Sequence, residues 1–107
     1  MRIGELWVGA IVAVNSFGDI YDYKTNKLLA GAIDKENKKL VNSYELMKEQ
    51  GKTAGFPMRN TTIGVVATNA ILTKAEANKV AQLAQNGLAR SINPVHTMLD
   101  GDTVFAM

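Results

Sequence analysis

The sequence predicts an α+β layered domain, and three observations carry the prediction. Residues 6–14 are apolar at every position and residues 61–68 are β-branched or apolar almost throughout. Runs this short and continuous read as strands covered on both faces rather than on one. Between the second run and a further apolar stretch at residues 103–106 lies a segment with the cap and spacing of a helix. Strands with a close-packed helix between them make a layered domain.

Taken in order, the first strand runs from Leu6 to Val14 and ends in Asn15-Ser16-Phe17-Gly18-Asp19, which carries turn chemistry. Residues 20–23 and 27–33 read as two short strands or a hairpin, with Thr25-Asn26 as the turn. Residues 34–50 are polar and weakly helical, anchored only by Leu40, Leu46 and Met47. Residues 51–60, with Gly51, Gly55 and Pro57, read as a loop, and the whole of 34–60 is expected to be exposed and mobile. The strand from Thr61 to Thr68 leads into Thr73 and Glu76, a T-x-x-E capping box in which hydroxyl and carboxylate satisfy each other's backbone amides. Ala77, Val80, Ala81, Ala84 and Leu88 then follow at helical spacing, a narrow stripe suited to packing on a sheet. Pro94 stops the helix, and Thr103-Val104-Phe105-Ala106 begins the third strand. An apolar strand starting close to Met1 and another stopping at Met107 imply a sheet that other sequence or another chain completes.

Composition limits the function classes. The chain has 107 residues, 47% of them apolar and 21% charged, the mix of one small globular domain or a piece of a larger one. Its net charge of +2 is spread, with Lys35, Lys38 and Lys39 beside Asp34 and Glu36, so no basic stripe for nucleic acid forms. There is no cysteine, which removes disulfides, thiolate nucleophiles and cysteine-ligated zinc. The longest apolar run is far too short to span a bilayer and lacks a signal-peptide cleavage site. These features lead us to expect a soluble, cytoplasmic protein with no membrane partner.

Few residues could carry chemistry. Asp100-Gly101-Asp102 places two carboxylates on one side of an extended segment, a pattern shared by solvated turns, acid/base pairs and cation sites. The turn is the simplest of these, and two carboxylates with one histidine are too few ligands to favour a metal. His96, the only histidine, reads as a structural hydrogen-bonder, because no cysteine or suitably placed serine completes a triad. Thr61 stands where loop becomes strand. Its β-propensity alone accounts for that, unless the bond before it is cut. The new α-amine, with a pKa of about 7.7–8.0, could then serve as base for its own hydroxyl. Asn15 either caps its turn or donates into an oxyanion site. Gly4-Glu5-Leu6-Trp7-Val8-Gly9 lacks the lysine and helix of a phosphate loop. No cofactor or metal is expected.

Several separated motifs, in one order, resemble the DmpA-like L-aminopeptidase/D-esterase family, which includes β-aminopeptidases and nylon-oligomer hydrolases. They are Asn60-Thr61-Thr62-Ile63-Gly64-Val65-Val66-Ala67-Thr68-Asn69-Ala70, Leu72-Thr73-Lys74-Ala75, Gly87-Leu88-Ala89-Arg90, Pro94-Val95-His96-Thr97-Met98 and Asp100-Gly101-Asp102-Thr103-Val104-Phe105-Ala106. Val8 to Asn15 with Gly18-Asp19 resembles the end of the family's α-subunit, and 61–107 the start of its β-subunit. The resemblance implies an αββα sandwich, self-cleavage between Asn60 and Thr61, and Thr61 as nucleophile for amide or ester hydrolysis. It further implies that Asp100 and Asp102 orient and activate that nucleophile and that Asn15 belongs to the oxyanion site. Family members are longer, so the chain is expected to be a fragment of such an amidase. The expected substrates are small peptides, amino-acid amides or esters. A homo-oligomer or a complementary chain is the expected protein partner. The alternative is a non-catalytic domain that acts by self-association or by completing a partner chain.

Overall fold

The computed structural model describes residues 1–34, 36–50 and 60–107. Its main sheet has four strands in the order β1 (Arg2–Ile3), β2 (Leu6–Asn15), β7 (Thr61–Thr68) and β9 (Thr103–Ala106). The unbroken apolar run and the β-branched run form the two long strands, as the sequence predicts. They pair antiparallel from Val8 opposite Thr68 to Asn15 opposite Thr61. β9 lies parallel to β7, with Ile63 beside Thr103 and Val66 beside Ala106. A parallel neighbour requires a crossover, and α2 (Lys74–Ser91) supplies it.

The start of α2 is set by its sequence. The Thr73 hydroxyl accepts from the Glu76 N–H at 3.3 Å, and the Glu76 carboxylate accepts from the Thr73 N–H at 2.8 Å. The helix ends at Ser91, before Pro94, because Ile92 turns extended and joins β8 (Ile92–Asn93). β8 pairs with β3 (Asp19–Tyr21), which also pairs with β4 (Leu28–Ala30). The expected single strand at 27–33 is therefore two: after Gly31 the chain enters β5 (Ala32–Ile33), which pairs with β6 (Leu40–Val41). The turn between β3 and β4 begins three residues before Thr25, at Asp22. Its carboxylate accepts from the Lys24 and Thr25 N–H groups, and Asn26 takes a positive φ of 55°.

The polar stretch holds one helix, α1 (Ser43–Gln50). The loop expected at 51–60 lies, apart from Asn60, outside the described residues, and so does most of the basis for a mobile 34–60 segment.

The helix α2 packs mainly on β9, with β7, β8 and β3 at its margins. Leu88 and Ile92 are the buried apolar centre of that contact. A cleft of about 320 Å³ remains between helix and sheet, lined by Val12, Val14, Val66, Ala84, Leu88 and Val104. The expectation that β2 is covered on both faces is not met: nearly every residue of β2 is exposed. Register places Ile11, Val65 and Phe105 in a row on the face away from α2, where Ile11 is 76% and Phe105 57% exposed. Apolar composition identified the strand, whereas its cover depends on what lies against the sheet, and no described element of this chain does so there. The result is an open slab of 51 × 28 × 16 Å with one covered face.

Candidate active site

The site forms where three chain segments meet at one end of the main sheet. Thr61 is the first residue of β7, and Asn15, the last of β2, is its direct cross-strand partner. Directly opposite residues on an antiparallel pair share a face, so the Asn15 amide and the Thr61 hydroxyl belong to one side. On the other flank Asn60 bridges Asp100 in parallel, with the same offset that pairs Ile63 and Thr103 further along. That register lays Asn60-Thr61-Thr62 alongside Asp100-Gly101-Asp102.

The carbonyl of Asn60 is held on two sides. The Thr61 hydroxyl lies 2.7 Å from the Asn60 oxygen, and the Gly101 N–H donates to the same oxygen at 2.8 Å. The Asn60 N–H donates in turn to the Leu99 carbonyl at 2.9 Å. Asn60 is buried at 6% exposure, and its side-chain oxygen has no hydrogen-bond partner among the described residues. Asn60 is thus fixed at both its N–H and its C=O, and the Thr61 hydroxyl bonds to that C=O.

The two carboxylates take separate partners. Asp102 accepts from the Thr62 N–H at 2.9 Å with one oxygen and faces the His96 Nδ1 at 2.7 Å with the other. Asp100 accepts from the Phe17 N–H at 3.2 Å and from the Thr97 N–H and hydroxyl at 3.1 and 2.5 Å. Asp102 thus reaches the peptide that follows Thr61. Asp100 ties the turn after β2 to the loop before β9, which fixes the separation of the strands that flank Thr61.

A cleft of about 450 Å³ opens beside these residues, lined among others by Val14, Asn15, Phe17, Ile20, Leu46 and Asn60. Behind it Asp19 is fully buried, and its carboxylate accepts from the Ser43 hydroxyl at 2.5 Å and the Ser43 N–H at 2.8 Å. That pair holds the first turn of α1 against β3.

All four residues singled out by the resemblance therefore stand within one strand end, Asn15, Thr61 and Asp102 around the Asn60–Thr61 junction and Asp100 bracing it. Two groups escape a reading of the sequence. The Gly101 amide is invisible because it acts through the backbone. What escapes for His96 is its partner, Asp102, six residues on in the loop before β9. The one sequence signal for either is the glycine between the two aspartates. Among the described residues no group of three or more His, Cys, Asp or Glu side chains could hold a metal ion, and no helix is long and apolar enough to cross a membrane.

The site is thus a strand-end threonine beside a clamped peptide carbonyl, with two carboxylates on the segment that leads into β9. The chain belongs to peptidase family S58, whose model matches residues 2–107. It is 47% identical over 108 residues to an uncharacterised aminopeptidase of Mycobacterium leprae (strain TN), covering 94% of this chain and 28% of that protein. It is also 29% identical over 109 residues to the 6-aminohexanoate-oligomer endohydrolase of Paenarthrobacter ureafaciens, covering 99% of this chain and 30% of that one. A 48-residue stretch is 58% identical to an uncharacterised aminopeptidase of Mycobacterium tuberculosis (strain H37Rv), covering 45% of this chain and 14% of the relative. Where the match runs along nearly all of this chain, it spans about a third or less of the relative's length.

Proposed function

We propose that this chain is the part of a self-processing N-terminal-nucleophile amidase or aminopeptidase that carries the cleavage site, with Thr61 as nucleophile. The observation that carries the reading is the Asn60 carbonyl held between the Thr61 hydroxyl at 2.7 Å and the Gly101 N–H at 2.8 Å. In self-cleavage the Thr61 oxygen attacks the Asn60 carbonyl carbon, and the developing oxyanion stays on the Gly101 N–H. The C–N bond breaks, the hydroxyl proton ends on the Thr61 nitrogen, and an ester joins Asn60 to the Thr61 oxygen. Water then hydrolyses the ester, which leaves a carboxylate on Asn60 and a free hydroxyl and α-amine on Thr61.

In the second reaction that α-amine takes the hydroxyl proton as Thr61 attacks a substrate carbonyl. The substrate acyl carbon occupies the place that the Asn60 carbonyl held, because the nucleophile and the Gly101 amide are the same. The cleft that Asn60 lines then receives the acyl side of a small peptide, amino-acid amide or ester. Asn15, on the Thr61 face, is the further oxyanion donor in this reading. Asp102 orients the nucleophile through the Thr62 N–H, and Asp100 holds the flanking segments. The relatives named aminopeptidase and oligomer endohydrolase support the class of reaction. We keep the cytoplasm as the proposed setting.

The uncovered sheet face favours a second reading, in which the chain acts only by associating with itself or with a complementary polypeptide. Intact-mass measurement separates the two. A full-length S58 polypeptide carrying residues 2–107 should yield two pieces that part between Asn60 and Thr61, and hydrolyse a small aminoacyl amide. Thr61→Ala should leave one inactive piece, while Thr62→Ala should still be cut. Cleavage at that bond and normal hydrolysis by the Thr61→Ala protein would end the nucleophile assignment.

A further inference from the structure

We infer that His96 is a positioning residue for Asp102, and through it for the nucleophile's strand. The inference rests on the reading of Thr61 given above and extends it to a residue that the sequence marks only as a structural hydrogen-bonder. Its basis is a continuous chain of contacts. The His96 Nδ1 lies 2.7 Å from one oxygen of Asp102, and the other oxygen accepts from the Thr62 N–H at 2.9 Å. An ionised carboxylate only accepts, so the proton on this short contact sits on Nδ1. The Asp102 side chain is 5% exposed and that of His96 38% exposed. A carboxylate buried that deeply needs donors, and His96 and Thr62 each supply one to a different oxygen.

The backbone around His96 is shaped for this contact. His96 adopts a φ of +52°, a left-handed conformation that an ordinary side chain rarely takes. The next residue, Thr97, is fixed from the other side by the Asp100 carboxylate, which accepts from both its N–H and its hydroxyl. Asp100 therefore holds the loop in which the imidazole is turned back toward β9. With His96 in place, the plane of the Asp102 carboxylate is set by two bonds. With one of them lost, the carboxylate is free to swing, and the Thr62 peptide loses its fixed acceptor. Thr62 follows the nucleophile directly, so a small shift there moves the Thr61 hydroxyl against the Asn60 carbonyl. Displacements of about 1 Å in such a pair cost on the order of 100-fold in rate.

The left-handed φ allows a clean test. Glycine accepts that φ without strain and removes the imidazole, while asparagine also tolerates it and places an amide N–H near the position of Nδ1. In the full-length S58 polypeptide carrying residues 2–107, His96→Gly should slow self-cleavage at 60/61 by about 10- to 100-fold. Its circular dichroism should match that of the unmodified protein. Added imidazole should restore part of that rate, and His96→Asn should recover most of it. With Asp102→Asn in the background, His96→Gly should cause little further loss, because the two act as one unit.

A His96→Gly protein cut as fast as the unmodified one would overturn the inference while leaving the nucleophile assignment intact. Slow cleavage that neither imidazole nor His96→Asn improves would assign His96 to structure alone and overturn it equally. An unmodified polypeptide that stays whole would remove the nucleophile reading and this inference together.

Discussion

Beside the Thr61 hydroxyl the adjoining strand carries no side chain. A Cβ placed on Gly101 would stand 3.2 Å from the Thr61 Oγ1 and 3.9 Å from the Asn60 carbonyl oxygen. Gly101→Ala keeps the amide that holds the carbonyl but crowds the Thr61 hydroxyl by a few tenths of an ångström. Self-cleavage should slow by about 10-fold with the fold intact, a result that a time course on denaturing gels would check. Behind the cleft, Asp19 leaves no room either: a Cβ on Gly31 would fall far inside van der Waals contact with its carboxylate. Asp19→Ala strands the buried Ser43 hydroxyl and N–H, and should cost about 1–3 kcal/mol in urea unfolding. Gly31→Ala should destabilise the protein as well, since the clash is with a carboxylate locked by two short bonds.

At the scale of elements, the cap of α2 gives the sharpest expectation. The Thr73 N–H, then the Thr73 hydroxyl, hold the Glu76 carboxyl below its usual value of 4.5. A carboxyl whose pKa falls on folding stabilises the fold above its unfolded pKa, and that contribution is lost as pH drops through the folded value. Helix content should therefore decline more steeply on acidification below about pH 4.5 in the unmodified chain than in Glu76→Gln. Circular dichroism across pH 2–6 reads this directly, and parallel curves for the two proteins would show that the cap does not matter. Thr73→Ala should cost about 1 kcal/mol at neutral pH.

The same helix shows how much of the fold was legible beforehand. Thr73, Glu76 and the stripe from Ala77 to Leu88 are local signals within one helix, so the residues themselves predict it. The strands 6–14 and 61–68 were equally plain from their apolar runs. The order β1-β2-β7-β9 was not, because pairing joins segments that are distant in sequence and no local pattern encodes the partner. For that reason Thr61, Asn15, Asp100 and Asp102 were legible as candidates by motif, while their grouping depended on two registers. The Gly101 amide, placed by the pairing of β7 with the segment before β9, stayed hidden, and His96 showed only as a hydrogen-bonder without its partner Asp102. Gly31 broke an apparently continuous strand for a similar reason, since the carboxylate it makes room for belongs to another segment.

For the molecule as a whole, shape is the informative quantity. Its radius of gyration is 16.5 Å, whereas a compact domain of about 100 residues has about 13 Å. The excess reflects a sheet with one face open, where Ile11, Ile63 and Phe105 stand exposed. Contiguous apolar surface of this kind drives association. The chain on its own should form concentration-dependent oligomers in sedimentation velocity, and Ile11→Lys with Phe105→Lys should shift it toward monomer without loss of secondary structure. A well-folded monomer across a wide concentration range would refute this.

The long ladder between β2 and β7 gives a cut at Thr61 a further meaning. The two strands that face each other from Val8 to Asn15 and from Thr61 to Thr68 lie on opposite sides of the proposed scissile bond. Before the cut they are tethered, and the tether sets a high effective concentration of one for the other. After it they are a two-chain complex, whose stability depends on how much protein is present. Dilution would leave an uncut precursor folded and would separate a processed pair, so the proposed cleavage would also make the pair's persistence a matter of mass action.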